Sequence, residues 1–281
     1  MRHTRSVIRA LVGATVAAGG IAALAPAAQA ATPVACSEAA LVAAINLANA
    51  TPAADTLTLA SGCTYLMTAS HGNAAHGQEA LPVITTPIEL IGPAIITRAS
   101  LLPFRIAEVS STGNLTLTTS VAFTNGSAVG SGGGILNFGA VTLTVSSLSG
   151  NVATGNGGGL ANANTPSGTA PAATFTGSPV TNNTAVQRGG GIYNGTRGTL
   201  TTTGLPELIG GNTAARGGGI AAVNSTATTL TGTTVTNNTG LVTAGGVYRV
   251  GGTMTTTASP ISGNLPNNCV GSAPAVPNCT G

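Results

Sequence analysis

The stretch VTNNTAVQRGGGI, residues 180–192, decides the fold, because variants of it recur on both sides. LSGNVATGNGGGL (148–160) precedes it, and IGGNTAARGGGI (209–220) and VTNNTGLVTAGGV (235–247) follow. An earlier copy, FTNGSAVGSGGGI (123–135), has Gly in place of the Asn, and a last one stops at ISGN (261–264). Aligned on Gly126, Asn151, Asn183, Asn212, Asn238 and Asn264, the copies lie 25, 32, 29, 26 and 26 residues apart. Self-similarity at such a period marks one supersecondary unit stacked on itself.

Inside each copy the apolar positions are fixed. The residue three before the aligned position is Phe123, Leu148, Val180, Ile209, Val235 or Ile261. Seven to nine residues before it, a Thr-x-Thr ends at Thr118, Thr144, Thr176, Thr203, Thr231 or Thr257. After the glycines stands Ile135, Leu160, Ile192, Ile220 or Val247. Three short period-2 segments separated by Gly- and Asn-rich turns leave no room for a helix. Three strands per turn, each pairing with its counterpart one coil away, describe a parallel β-helix. Glycine suits the sharp corners because it has no Cβ, and aligned Asn side chains are expected to form a hydrogen-bonded ladder.

The N-terminal segment differs. Residues 1–30 carry Arg2, Arg5 and Arg9, then an apolar stretch, then Ala28-Gln29-Ala30, the pattern of a secretory signal peptide cleaved before Ala31. Without it the chain has six Arg against six carboxylates and no Lys, so nucleic-acid binding has no electrostatic footprint. The regular apolar positions and positive mean hydropathy argue against disorder. No integral membrane segment is expected in the mature chain, residues 31–281, which reads as one domain.

Within it, residues 31–68 are expected to form an N-terminal cap and first strands. Leu41, Ile45 and Ala48 share one face of a short capping helix over 37–49, with Ser37 as N-cap. First strands are expected at 55–59 and 65–67, a polar loop at 69–80, and lead-in segments near 83–91, 94–98 and 104–109. Regular repeats span 115–264 and a C-terminal cap 265–281. Four cysteines lie outside the repeats, in keeping with an exported protein; of the three possible pairings, proximity favours Cys36 with Cys63 and Cys269 with Cys279.

These residues resemble bacterial secreted right-handed parallel β-helix proteins with polymorphic-outer-membrane-protein-type repeats, marked by an apolar-x-x-Asn and a Gly-Gly-(Gly/Ala)-Ile. The opening CSEAALVAAINLAN (36–49) and ADTLTLASGCTYLMT (54–68) is similar to the Cys-Ser-Leu-Arg-Glu-Ala start of such proteins, with Ala39 and Ala40 departing from it. The resemblance implies an all-β, single-stranded right-handed parallel β-helix, a pectin-lyase-like solenoid. It also implies an extracellular role, since chlamydial relatives use such repeats in surface adhesion. No LPxTG-like sorting signal or barrel-like stretch occurs, so a secreted protein is expected.

Chemistry-bearing residues are few. Glycoside hydrolysis needs two facing carboxylates and calcium-assisted lyases need clustered acids. Here Asp55 reads as a turn residue opening a strand, and Glu38, Glu79, Glu89, Glu108 and Glu207 are scattered along the sequence. His71 and His76 share the polar loop with Ser70 and Glu79, without a nucleophile-elbow motif. No catalytic residue, metal or cofactor is expected. Arg188 and Arg216 precede Gly-Gly-Gly in consecutive coils and should stack on one corner, where they form a candidate grip for a carboxylate or sulfate; the alternative is a pair of solvated edge charges. The Thr-x-Thr column is an outward hydroxyl-and-methyl array suited to ice or carbohydrate, although Thr also simply favours exposed strands. The unequal coil lengths predict an array too irregular for ice. The favoured expectation is a non-catalytic, adhesin-like extracellular binding protein for glycan, cell-wall or host-surface components. A polysaccharide lyase or hydrolase and an ice- or crystal-surface binder are the alternatives.

Overall fold

The computed structural model describes residues 31–163, 170–204 and 207–281; the expected leader, residues 1–30, lies outside these. The chain winds through about eight turns of a parallel β-solenoid that fits a right-handed parallel β-helix. Four parallel sheets of nine, eight, five and six strands run along its length. The expectation of three strands per coil is thus corrected to four. In the coil starting at Ala140–Thr144, the strands Ser147–Ser149, Val152–Ala153 and Leu160–Asn162 follow. The extra strand is the short segment just after the Asn: the ladder bends the chain there, so a two-residue strand pairs on its own with Ser127–Ala128 and Thr184–Ala185.

Alternation decides which residues face in. Along the nine-stranded sheet, inward positions are filled by Leu57, Leu90, Leu117, Leu143, Phe175 and Leu230, all essentially inaccessible to solvent. Small aliphatic side chains suffice because the coil is narrow. The helix Glu38–Asn49 covers the first coil. Ser37 is extended (φ −155°, ψ 150°) and its hydroxyl accepts from the Ala40 amide. Leu41, Ile45 and Ala48 are buried, Leu41 and Ile45 completely, in the same core as Leu57 and Tyr65. Cys36–Cys63 ties this cap to the third strand and Cys269–Cys279 closes the C-terminal loop.

Each coil is also joined to the next by side-chain amides. Asn151, Asn183, Asn212 and Asn238 are fully buried. Asn183 Oδ1 accepts from the backbone amide of Asn151 at 2.9 Å and from its Nδ2 at 3.0 Å, while Asn183 Nδ2 donates to Asn212 Oδ1 at 3.0 Å. The pattern repeats through Asn238 and Asn264 to Asn268 in the terminal loop. A second ladder, Asn137 to Asn162 to Asn194 and then Thr228, runs along the six-stranded sheet. The glycine block packs against these ladders: a Cβ on Gly191 would lie 2.7 Å from the Gly219 carbonyl and 3.0 Å from Asn212 Nδ2.

The unequal coil lengths do not disturb the Thr-x-Thr sheet, contrary to the expectation of an irregular array. Ala140–Thr144 pairs residue for residue with Ala172–Thr176, and that strand with Thr199–Thr203. The extra residues fall in the connections, chiefly between Asn162 and Ala172, where strand pairing makes no demand on length.

Asn183→Ala is expected to lower stability by roughly 2–4 kcal/mol, because it strands buried donors and acceptors in two neighbouring coils. Guanidinium denaturation measures this, and a loss below that range would mean that the ladder is not a major tie.

Candidate functional site

Three groupings bring polar or charged side chains together. The first is the outer face of the nine-stranded sheet. Its rows are set by the pairing register: Thr56, Glu89, Thr116, Thr142, Thr174, Thr201, Thr229 and Thr255 form one rank. The second runs in register through Thr58, Ile91, Thr118, Thr144, Thr176 and Thr203, and the paired Thr231 and Thr257 follow in the last two coils. Each rank has one position that is not Thr, Glu89 or Ile91, in the same coil. Ranks two residues apart are about 6.6 Å from each other, and successive coils about 4.8 Å. Glu89 is the sole charge among these positions, and it is engaged by Thr118 Oγ1 at 3.1 Å and Thr56 Oγ1 at 3.5 Å. A cleft of about 270 Å³ bounded by Asp55, Glu89, Asn114 and Thr116 marks the N-terminal end of this face.

The second grouping corrects the description of the glutamates as scattered. The polar loop is a small antiparallel hairpin, Gly72–Ala74 with Gly77–Glu79, and it closes over Arg105. Arg105 is 1 % exposed, and its Nη1 lies 3.5 Å from Glu79 Oε2 and 3.3 Å from Glu108 Oε2. Nη2 donates to the carbonyl of His76 at 2.7 Å. Desolvation lowers the guanidinium pKa, opposed by Glu79 and Glu108. His76 Nδ1 sits 3.1 Å from Glu108 Oε1 and its ring packs on Phe138 with centroids 4.4 Å apart. Both carboxylates are buried around one cation, so they are poorly placed to flank a scissile bond. The adjoining cleft of about 440 Å³ is lined by Leu102, Pro103, Val129 and the arginine. Residues this far apart in sequence come together only through coil stacking and the hairpin, for which the spacing held no signal.

The two histidines are parted by the hairpin. His71 Nε2 contacts Glu38 Oε1 at 2.8 Å, joining the loop to the capping helix. Partial burial pushes the Glu38 pKa up, but hydrogen bonds from the Thr68 hydroxyl, His71 and the Ala69 and Thr68 amides outweigh it and hold it at about 2. Among the described residues neither imidazole is hydrogen-bonded to a Ser, Thr or Cys side chain. No group of three or more His, Cys, Asp or Glu among them is arranged to hold a metal ion. Asp55 opens the strand Asp55–Leu59 and accepts from Thr51 Oγ1 at 3.4 Å.

The third grouping is the arginine corner. Arg188 and Arg216 form a parallel bridge, which places them on neighbouring coils. Thr243 follows Arg216 in the next coil.

No family model matches the chain, and no curated protein or solved structure compared with it is detectably similar.

Two outcomes follow from these charged groups. Arg105→Leu leaves two carboxylates buried without their cation and should destabilise the protein by roughly 3–5 kcal/mol, read from the denaturation midpoint. For Glu38 the folded pKa is depressed, so its contribution is full above the ordinary value of 4.5 and is lost as pH falls towards about 2. Glu38→Gln should therefore flatten the fall in melting temperature across that window.

Proposed function

We propose that this is a non-catalytic extracellular binding protein whose ligand is an ordered surface, ice foremost, met by the Thr face of the nine-stranded sheet. The observation that carries this reading is the two Thr ranks, the first held in unbroken strand register over eight coils and the second paired from Thr58 to Thr203 and again between Thr231 and Thr257, each with one position that is not Thr. Apart from Thr56 and Thr118, which donate to Glu89, and Thr176 and Thr203, which bond each other, the ranked Thr residues present a hydroxyl that can join a lattice of water and a methyl that weakens hydration between the hydroxyls. The parallel ladder fixes both repeat distances, about 4.8 Å and about 6.6 Å, and hexagonal ice repeats on the same scale in two perpendicular directions. Seven coil-to-coil steps extend the array over about 34 Å.

Other features agree with this reading. Two disulfides are compatible with an extracellular location, as is the leader pattern in residues 1–30. No helix among the described residues is long and apolar enough to cross a membrane. The polymorphic-outer-membrane-type repeat motif also points outside the cell. The enzyme alternative draws little from Glu79 and Glu108, which are enclosed around Arg105. The adhesin-like alternative, binding glycan at the arginine corner, concerns a different face.

Thermal hysteresis and inhibition of ice recrystallisation test the proposal. Thr174→Lys with Thr201→Lys puts two strongly hydrated ammonium groups in one rank, and should raise the concentration needed for inhibition roughly tenfold or more, a change of about 1.4 kcal/mol. Wild-type protein inactive in both assays, or a double variant as active as wild type, overturns it.

A further inference from the structure

On the outer side of the six-stranded sheet, away from the Thr face, Tyr193 and Tyr248 are the partly exposed members of a column whose other members are buried. One residue past each inward aliphatic, the column reads Glu108, Leu136, Ala161, Tyr193, Ala221, Tyr248. The glycine block folds back towards this column. Gly189 and Gly217 have φ of +66° and +62°, and a Cβ on them would meet Tyr193 N at 2.8 Å and Tyr248 Cβ at 2.9 Å. The residues just before those glycines, Arg188 and Arg216, are thereby delivered to the rim beside the tyrosines.

Tyr193 is half-buried against Leu136, Phe138 and Ala161. Burial raises its hydroxyl pKa, and the charge of Arg188 opposes that rise. Tyr248 occupies the same position two coils on, with fully buried Ala221 between. Neither Arg188 nor Arg216 has a side-chain hydrogen bond or ion pair with another described residue. Two like charges carried on backbones about 4.8 Å apart, with no counter-charge paired to them among the described residues, favour an anion. Charge is also divided along the chain: residues 31–108 hold five carboxylates and two Arg, whereas residues 109–281 hold four Arg and one Glu.

We propose that the strip between the Arg188–Arg216 corner and Tyr193 and Tyr248 binds a linear acidic polysaccharide lying along the solenoid axis. The guanidiniums pair with carboxylate or sulfate groups through their two-pronged donors, and the tyrosine rings stack on sugar faces. Two coils separate the rings by about 9.6 Å, on the scale of a disaccharide, so the repeat of the fold and the repeat of the polymer can match.

Calorimetry with polygalacturonate, dextran sulfate and uncharged dextran tests this, with tyrosine fluorescence as a second readout. The chain has three Tyr and no Trp, and Tyr65 is fully buried, so emission changes report on Tyr193 and Tyr248. Binding to at least one charged polymer and not to dextran is expected, and the tighter of the two identifies the anionic group. Arg188→Ala with Arg216→Ala should weaken it roughly tenfold or more, and the double Lys variant should recover only part of that. Tyr193→Ala should weaken binding while Tyr193→Phe, which keeps the ring, should not; cooperative denaturation confirms that each variant is folded. No binding to either charged polymer, equal binding of dextran, an unaffected double Ala variant, or equally tight binding of single-stranded DNA each overturns the proposal. The Thr174→Lys/Thr201→Lys variant should bind the polysaccharide normally, so failure here and failure of the ice reading are separable.

Discussion

Coil-to-coil hydrogen bonding in strict register is the constraint on which the rest of this structure depends. Backbone ladders supply most of it, and the buried Asn column adds three further bonds at each step: Oδ1 accepts from the preceding amide N–H and the preceding side chain, and Nδ2 donates to a carbonyl of the preceding coil. A buried amide group left unpaired costs about 1–3 kcal/mol, so a coil displaced by one residue would break the column everywhere at once. Register, once held, places every outward side chain. The Thr ranks, the stacked arginines and the spaced tyrosines are all consequences of the same alignment.

Much of the architecture was legible because the requirements are local and repeated. An Asn three residues after an apolar position, followed by glycines at a corner, is a pattern that only a stacked coil explains. The second Asn ladder corresponds to an aliphatic-x-Asn after three of the glycine blocks, at Asn137, Asn162 and Asn194, too short a run to stand out as a repeat. The extra short strand was hidden because two residues are too few for an alternation signal. Uneven coil lengths misled for a physical reason: a solenoid demands equal strands but tolerates unequal connections, so length variation says little about the regularity of a sheet.

The irregular N-terminal coil was the least legible part. Arg105, Glu79, Glu108 and His76 are brought together by a hairpin that departs from the repeat, and no spacing rule announces such an encounter. Arg105 stands where later coils have a core-lining glycine, as shown by Ala107 pairing with Ile135. A guanidinium there is accommodated only because the hairpin roofs it and two carboxylates neutralise it. By contrast, the arginine corner was readable, since both residues sit at the same repeat position.

The Asn column also has a direction. Every Asn side chain of the column from Asn151 to Asn264 accepts through Oδ1 from the N-terminal side and donates one Nδ2–H to the next Asn on the C-terminal side, while the other Nδ2–H returns to a backbone carbonyl of the preceding coil. The column is therefore a row of aligned dipoles, each polarising the next, and such a row needs a defined terminus at both ends. It starts at a bare backbone amide, that of Gly126, where the side chain is dispensed with. It finishes at Asn268, whose Oδ1 takes the last donor and whose Nδ2 passes to the Thr280 carbonyl beside the Cys269–Cys279 closure. The C-terminal loop thus acts as an electrical end-stop as well as a lid. The solenoid is in consequence modular in its interior: a whole coil can be added or removed between the two ends without altering either, and the length of both outer faces changes with it.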